Sequence, residues 1–318
     1  MKEHTVFVVE KLSTLRKLAP HLSSRWPGKV YAITTLYLGL YEFRYPRGLS
    51  MADFPFVGEP TWKVRHQEQS PAFEIQGDEA HRCALDPVEL LRGASSICFA
   101  ADPDPAGAVA FHVLLSECLG DASARASWPA LRLRALDERS ISSAPDAAGA
   151  TSDDWFESMR NAGIARRFFD FNYNINALAL FGQALRQVGG LSRDYLVSKY
   201  SLQLLYALRD WPPARSDGAL IHAMENWQGT GRYTACGMGS PASRLAILTG
   251  LRSAGLVDGV ALTASGRAFL NGLHPDCCDQ DLPGRIGEWE QHWPASRPKM
   301  ERYLRTFFGK QKRYAQEL

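Results

Sequence analysis

Two short apolar segments, each running into acidic residues and then a helix-like stretch, constrain the fold of this chain more than any other feature. Residues 5–9 form a β-branched run that ends at a glutamate, and residues 13–22 follow with leucines at helical spacing. Residues 96–101 form a second such run, which passes through two Asp-Pro pairs into a helix predicted to reach about Cys118. Strands that alternate with helices predict an α/β fold with a mostly parallel sheet.

Three further segments complete the first half of the chain. Residues 30–43 are rich in Tyr, Thr and Leu and predict one or two strands. The proline-rich residues 45–60 predict an extended surface loop. Residues 131–136 alternate between apolar and polar side chains, which predicts a further strand.

A change in composition marks the end of this first domain. Residues 140–154 are dense in Ser, Ala, Gly and Asp and contain almost no large apolar side chain, so we expect a domain boundary there. The chain then divides into an α/β domain at residues 1–150 and a mainly α-helical domain at residues 151–318. The predicted helices of the second domain cover residues 155–185, 195–209, 216–227, 241–254, 265–273 and 297–308.

Composition excludes several classes of protein. The 318 residues are 45% hydrophobic and 22% charged with a formal net charge of +2, so any affinity for nucleic acid must come from a local groove rather than from overall charge. The sequence shows no signal peptide and no apolar stretch of about 18 residues, which predicts a cytoplasmic protein without a membrane partner. The six cysteines form no Cys-x-x-Cys pair, so neither a zinc ribbon nor a redox motif is indicated.

Three carboxylates form the first candidate site. Glu10, Asp102 and Asp104 each lie at the carboxyl end of a predicted strand, where open α/β sheets place their ligand sites. Side chains that converge there would suit Mg²⁺, which prefers hard oxygen ligands and keeps several waters. A structural role is the alternative, because Asp104 before Pro105 is also a favourable helix start and Glu10 can simply be exposed.

Two motifs of the helical domain form a second candidate site. Arg166 and Asp170 lie four positions apart and share one helix face, so they would either present a guanidinium or form a solvated ion pair. Residues 237–244 are a glycine turn that enters a helix, where free N–H groups with Ser240 and Arg244 would suit a phosphate. Many helices without a ligand begin in the same way.

Aromatic residues near these basic positions would suit a groove for single strands. The four that we single out are Trp62, Phe171, Tyr173 and Tyr233. Such side chains stack unpaired bases, although most aromatic residues of a chain belong to its core. The sequence contains no P-loop and no Ser-His-Asp arrangement.

Taken in order, these motifs resemble the bacterial type IA DNA topoisomerases, and topoisomerase III in particular. Val8-Val9-Glu10-Lys11 and residues 98–104 are similar to the opening strand and the Asp-x-Asp strand end of the family's TOPRIM domain, which is a Rossmann-like α/β fold. Residues 35–42 and 49–64 look like the family's intervening segments. The resemblance implies a TOPRIM domain with a Mg²⁺ site, followed by a helical domain that binds DNA.

The second half of the chain continues the resemblance, which covers about residues 5–309 in all. The matching segments are residues 165–170, 174–176, 191–210, 219–226, 237–256 and 262–267. In the family the first of these helices places an Arg and an Asp near the cleavage site. The resemblance therefore implies that the DNA-binding residues are Arg166, Asp170, Lys199, Ser240 and Arg244.

The departures from the family bear on cleavage. The family's arch of a few hundred residues lies where only residues 211–218 are present here, and none of the eleven tyrosines stands in the family's Tyr-x-Arg-Thr-Asp-Ser motif. The family's catalytic lysine falls at Thr14, and an Arg and an acidic residue fall at Pro105 and Ala106. The family's Gly-Arg-Val-Gln element is lost, and Ser198-Lys199-Tyr200 resembles a remnant of it. Transesterification needs an activated nucleophile and positioned cations, and most of those parts are missing.

Three hypotheses follow from this combination of retained and missing parts. The leading one is a minimal type IA topoisomerase-like DNA-binding protein that prefers single strands and does not cleave and pass them by itself. The second is a Mg²⁺-dependent nuclease, because one Glu and two Asp on such a fold would support phosphodiester hydrolysis. The third is one half of a split topoisomerase whose arch comes from a partner protein in a DNA-processing complex.

Overall fold

A computed structural model divides the chain into two compact units. Unit 1 comprises Met1–Arg44 and Thr61–Ile164, and unit 2 comprises Tyr45–Pro60 and Ala165–Leu318. The structure describes residues 4–23, 25–26, 28–34, 41–64, 72–188, 195–210, 216–233 and 237–317. Parts of the predicted resemblance fall on residues 35–40, 191–194 and 211–215, which lie outside the described residues.

A mixed sheet forms the centre of unit 1. The described part of unit 1 contains nine strands: β1 (His4–Val9), β2 (Lys29–Thr34), β3 (Tyr41–Phe43), β4 (Trp62–Val64), β5 (Ala72–Gln76), β6 (Glu79–Cys83), β7 (Ser96–Ala100), β8 (Pro129–Ala130) and β9 (Gly149–Ala150). Seven of them form one sheet in the order β6-β5-β2-β1-β7-β8-β9, and β3 pairs separately with β4. The four central strands are parallel, whereas β5, β6 and β9 are antiparallel to their neighbours. The predicted α/β class with a mostly parallel sheet is confirmed.

Helices accompany this sheet. They are α1 (Leu12–Leu18), α2 (Pro87–Arg92), α3 (Pro105–Leu119), α4 (Asp121–Ala124), α5 (Glu138–Ser143) and the long α6 (Asp154–Gln187), whose first part belongs to unit 1. Every residue of β1 is buried, with Val6 and Val8 in one hydrophobic cluster and Phe7 and Val9 in another. Burial on both faces is why this strand is apolar throughout rather than alternating.

Two expectations about unit 1 are wrong. Residues 131–136 form no strand, because the ladder with β7 ends at β8 and Leu131 and Leu133 are buried by packing instead. The domain boundary expected at residues 140–154 is not there, since these residues contribute to α5 and form β9 of unit 1, and the division between the units falls within α6. Local polar contacts order this segment: Asp137 accepts the backbone N–H of Ser140 at 3.0 Å.

Unit 2 is mainly helical, as predicted. After its part of α6 come α7 (Lys199–Asp210), α8 (Asp217–Glu225), α9 (Pro241–Ser253), the hairpin β10 (Val257–Asp258) and β11 (Ala261–Leu262), α10 (Ala264–Asn271), α11 (Leu282–Gln291) and α12 (Arg297–Glu317). Aromatic rings fill its core, where Tyr173 and Phe181 of α6 pack against Phe308 of α12. No helix in the described ranges is both long enough and apolar enough to cross a bilayer.

Two buried asparagines fix the segment Tyr45–Pro60 within unit 2. Asn172 accepts the N–H of Gly58 at 2.7 Å and donates to its carbonyl at 2.9 Å. Asn176, one helical turn later, accepts the N–H of Phe56 at 2.8 Å and donates to its carbonyl at 2.7 Å. The amides therefore replace a neighbouring strand and satisfy the backbone of a segment that has no ladder of its own.

Candidate carboxylate and nucleic-acid sites

The register of two parallel strands brings Glu10 and Asp102 together in unit 1. Val9 of β1 pairs with Ala100 of β7, so the residues that follow both strands meet at one edge of the sheet. The Asp102 carboxyl is one of the groups that raise the pKa of Glu10, so the two side chains lie near each other. A hydrogen bond between two carboxyl groups requires a shared proton, because ionised carboxylates only accept hydrogen bonds.

The pKa of the Glu10 carboxyl rises to about 7 in this environment. Burial is the largest cause, followed by the hydrogen bond to Asp102 and the repulsion of its charge, while Lys11 lowers the pKa and Asp104 raises it slightly. Burial and a like charge both disfavour the ionised form of an acid. A bound cation would stabilise the ionised form of Glu10 beside Asp102, as a bound proton stabilises its neutral form.

Asp104 caps a helix, as the structural interpretation anticipates. Its carboxylate accepts the N–H of Gly107 at 2.8 Å at the start of α3, and Pro105 occupies the first helical position. A Cβ at Gly107 would lie 2.2 Å from the carbonyl oxygen of Asp102, so only glycine allows the helix to begin this close to the strand end. Capping occupies one carboxylate oxygen of Asp104 and leaves the other for a further ligand.

The donor set fits a divalent cation in part. Glu10 and Asp102 offer adjacent hard oxygens, and their mutual repulsion is what a cation would relieve. Among the described residues, no three His, Cys, Asp or Glu side chains are arranged as a complete metal-binding group. A Mg²⁺ ion would therefore be held mainly by Glu10 and Asp102, with water completing its shell.

Position 14, where the resemblance places a catalytic lysine, belongs to the core of unit 1. Thr14 is fully buried, and its hydroxyl has no hydrogen-bond partner among the described residues. The cation that acts on Glu10 is instead its sequence neighbour Lys11. Lys11 belongs to the sequence motif, and its positive charge lowers the pKa of Glu10.

In unit 2, Arg166 pairs with Glu290, which is distant in sequence. Its guanidinium donates two hydrogen bonds to Glu290 of α11, at 2.7 and 2.9 Å, rather than to Asp170. The Arg166 side chain is 37% exposed and that of Glu290 is 9% exposed. Burial alone lowers the pKa of Arg166, but the bonds to Glu290 outweigh it and raise the pKa, so the guanidinium stays charged.

Asp170 joins two other cations. Its carboxylate contacts the ammonium of Lys199 and lies 3.0 Å from the guanidinium of Arg167. Burial alone raises the pKa of Asp170, but Lys199 and then Arg167 outweigh it and hold the pKa below its ordinary value. Lys199 is largely buried against Asp170, and its ammonium also lies 4.7 Å from the ring centre of Tyr200. This cluster orders the start of α7 where it meets α6.

The predicted glycine turn is present before α9. Gly237 and Gly239 adopt positive φ values of 58° and 80°, which favour glycine. Ser240 is exposed at the helix start, whereas the Arg244 side chain is buried and donates to Glu225 at 3.2 Å. A Cβ at Gly237 would lie 3.3 Å from the Arg244 guanidinium, so Arg244 packs against the turn and supports its shape. Contacts of Ser240 and Arg244 with a phosphate stay a prediction.

A cavity of about 630 Å³ lies beside Arg166. Its walls come from α6, α7, α11 and the loop that follows α8. Tyr200 of this wall also lies next to the glycine turn, since a Cβ at Gly239 would be 3.7 Å from its ring. Tyr233 packs so closely on α11 that a Cβ at Gly284 would lie 2.5 Å from it. The residues lining the cavity are Arg166, Tyr200, Arg232, Tyr233, Pro283, Gly284, Ile286, Gly287, Glu288, Glu290 and Gln291.

Of the four aromatic residues singled out from the sequence, Tyr233 alone lines this cavity. Phe171 and Tyr173 are fully buried in unit 2 and cannot stack a base. Trp62 belongs to unit 1, where it stacks on Phe43 at 4.7 Å. Sequence reasoning missed Arg232, which is exposed next to Tyr233 and lies 5.6 Å from its ring centre. The only sequence signal for Arg232 is its place beside a tyrosine in a glycine-rich loop.

Comparison with protein-family models gives no match for this chain, and no curated protein matches it.

Proposed function

We propose that this chain is a minimal type IA topoisomerase-like protein that binds single-stranded DNA and does not cleave it by a tyrosine mechanism. On this proposal unit 1 is a TOPRIM-like domain and the cavity of unit 2 holds the strand. The observation that carries the proposal is the cavity in which Arg166 and Arg232 lie beside Tyr200 and Tyr233. Guanidinium groups bind phosphates and aromatic rings stack bases, which together are what a single-strand groove requires.

The preference for single strands follows from the walls of the cavity. Tyrosine rings can stack only on bases that are free of a partner strand, whereas a duplex presents mainly its phosphates. Glu288 and Glu290 also line the cavity, so its overall charge is close to balanced. Base stacking must then contribute a large share of the affinity, which disfavours duplex DNA further.

The experiment that tests this proposal measures the affinity of wild-type and variant protein for a labelled oligothymidylate by fluorescence anisotropy. Arg232→Glu should weaken binding about tenfold, because it removes one phosphate contact and places a negative charge beside the strand. Arg305→Glu is the matched control, since Arg305 is an exposed arginine of α12 that does not line the cavity. Equal affinities of wild type and Arg232→Glu would overturn the proposal.

A second candidate function, metal-dependent phosphodiester hydrolysis, is favoured by the register that places Glu10 and Asp102 at one edge of the sheet and by the effect of Asp102 on the pKa of Glu10. A divalent ion held by this pair would activate a water molecule and stabilise the leaving oxygen. If this function is present, single-stranded DNA is shortened in Mg²⁺ or Mn²⁺, and Asp102→Ala abolishes the products on a denaturing gel. Glu89→Gln, an exposed change on α2, is the control that should leave the products unchanged. Intact DNA with the wild-type protein would contradict hydrolysis while leaving the binding proposal standing.

A further inference from the structure

A second, more basic groove adjoins the cavity of unit 2. A pocket of about 370 Å³ shares Arg232, Tyr233 and Glu288 with the cavity, so the two are neighbours. A third pocket of about 290 Å³ shares Arg285 and Tyr303 with the second and extends the path along α12. We call the second and third pockets the α12 groove.

The spacing of the residues on α12 makes the groove follow the helix. Lys299, Arg302, Thr306 and Lys310 line it at intervals of three or four positions, so they lie on one face. The distance from the first to the last is about 17 Å at the rise of an α-helix. That length equals about five nucleotides at the helical rise of a DNA strand, and fewer when the strand is extended.

Positive charge prevails in the pocket next to the cavity. Four cations line it, with Glu288 as the one carboxylate among the described lining residues. Neither Lys299 nor Arg302 has an ion-pair partner in the part of the chain that the structure describes. Farther along, Lys310 contacts Asp276. The groove is thus most basic where it leaves the cavity.

Arg285 and Tyr303 distinguish this groove from a solvated charged surface. The Arg285 guanidinium lies 5.4 Å from the ring centre of Tyr303, and its contact with Asp279 is long, at 3.4 Å. Its Nε atom is buried and has no hydrogen-bond partner among the described residues. A buried donor without a partner is costly, and the exposed part of the same guanidinium could bind a phosphate through charge-assisted hydrogen bonds.

We infer that the α12 groove holds the continuation of the DNA strand that leaves the cavity, with Arg285, Lys299 and Arg302 on its phosphates. The inference rests on the proposed single-strand function and extends it to a site of several nucleotides. It predicts that affinity rises with strand length until the groove is filled. It also predicts that the groove residues that do not line the cavity matter only for strands long enough to reach them.

The experiment compares labelled oligothymidylates of about four and about twelve nucleotides, lengths that bracket common single-strand site sizes. Arg302→Glu should weaken binding of the long strand about tenfold and leave the short strand unchanged. Arg305 lies on the same helix and is also exposed, and Arg305→Glu changes the charge equally, so it should weaken binding of both strands less than about twofold. Arg302→Ala should lower the salt dependence of long-strand binding by about 0.7 in the logarithmic slope.

The possible results separate this inference from the proposed function. If the wild type binds the long strand but Arg302→Glu and Arg305→Glu weaken it equally, the groove is not part of the site and the inference fails alone. If the wild type binds neither strand, the proposed function fails and the inference fails with it. A third result would also overturn the inference. In it, Arg302→Glu abolishes binding of inorganic phosphate or an acidic peptide, while its effect on DNA affinity is the same for the short and the long strand. The groove would then be an anion site of another kind.

Discussion

Replacing Asp170 with alanine should lower the free energy of unfolding by about 3–5 kcal/mol, because it leaves the buried ammonium of Lys199 without a counter-charge. Arg167 loses the same partner but is more exposed and reaches solvent more easily. The change is measured by urea denaturation at neutral pH. Asp170→Ala/Lys199→Met should recover part of the loss, since it removes the uncompensated cation as well.

Asp210→Ala is the matched control for this effect. Asp210 also pairs with an arginine, Arg209, but both side chains are well exposed, so the loss of unfolding free energy should stay below about 1 kcal/mol.

Lowering the pH should destabilise the protein in the same way as Asp170→Ala, because it protonates Asp170. The pKa of Asp170 lies below its ordinary value of 3.8, so its contribution is complete above that pH and is lost as the pH falls through the lower folded-state pKa. Similar losses for the two alanine variants would show that the buried cluster contributes no more than a surface pair.

Replacing Glu10 with glutamine should stabilise the protein at pH 8 and have little effect at pH 5. The pKa of Glu10 is about 7 in the folded protein against an ordinary value of 4.5, so the folded state binds this proton more tightly than the unfolded chain. Stability therefore falls as the pH rises between those two values. The gain at pH 8 should be on the order of 1–2 kcal/mol after allowance for the partial exposure of the carboxyl group.

Magnesium should have the same effect as this substitution at pH 8. A cation held by Glu10 and Asp102 relieves their repulsion, so adding Mg²⁺ should raise the Tm of the wild type and raise that of Glu10→Gln much less. Glu89→Gln removes a carboxylate from an exposed ion pair and should leave the response to Mg²⁺ intact. Equal Tm increases in wild type and Glu10→Gln would place the bound ion elsewhere.

The parts of the fold that depend on neighbours in sequence were predictable. The apolar runs at β1 and β7 and the Asp-Pro helix start are local signals, and the parallel register that joins Glu10 to Asp102 follows from them. The hairpin of β5 and β6 was missed, although Gly77, with φ of +59°, and Asp78 separate the two strands as a two-residue turn does. That signal was present in the sequence.

The parts that depend on distant residues were not predictable. Arg166 has Asp170 on its own helix face, yet its partner is Glu290, which lies 124 positions away. The helix that carries Glu290, α11, contains Pro283, Gly284 and Gly287, residues of low helix propensity. Burial of side chains such as Leu282 and Trp289 stabilises it, and no local pattern reports that packing. The cavity depends on α11, so its position could not be read from the sequence.

The attachment of Tyr45–Pro60 to unit 2 has a consequence for how the chain reaches its folded state. Gly58 and Phe56 are separated from their amide partners Asn172 and Asn176 by 114 and 120 positions. During synthesis on a ribosome this segment emerges long before those partners. The chain on both sides of the segment belongs to unit 1. Its backbone must stay hydrated until α6 is made, and a fragment that stops at Ile164 would keep the segment without its partners. Folding of unit 2 thus requires closure of the long loop between Tyr45–Pro60 and α6, which contains most of unit 1. Such a closure slows folding more than it affects stability.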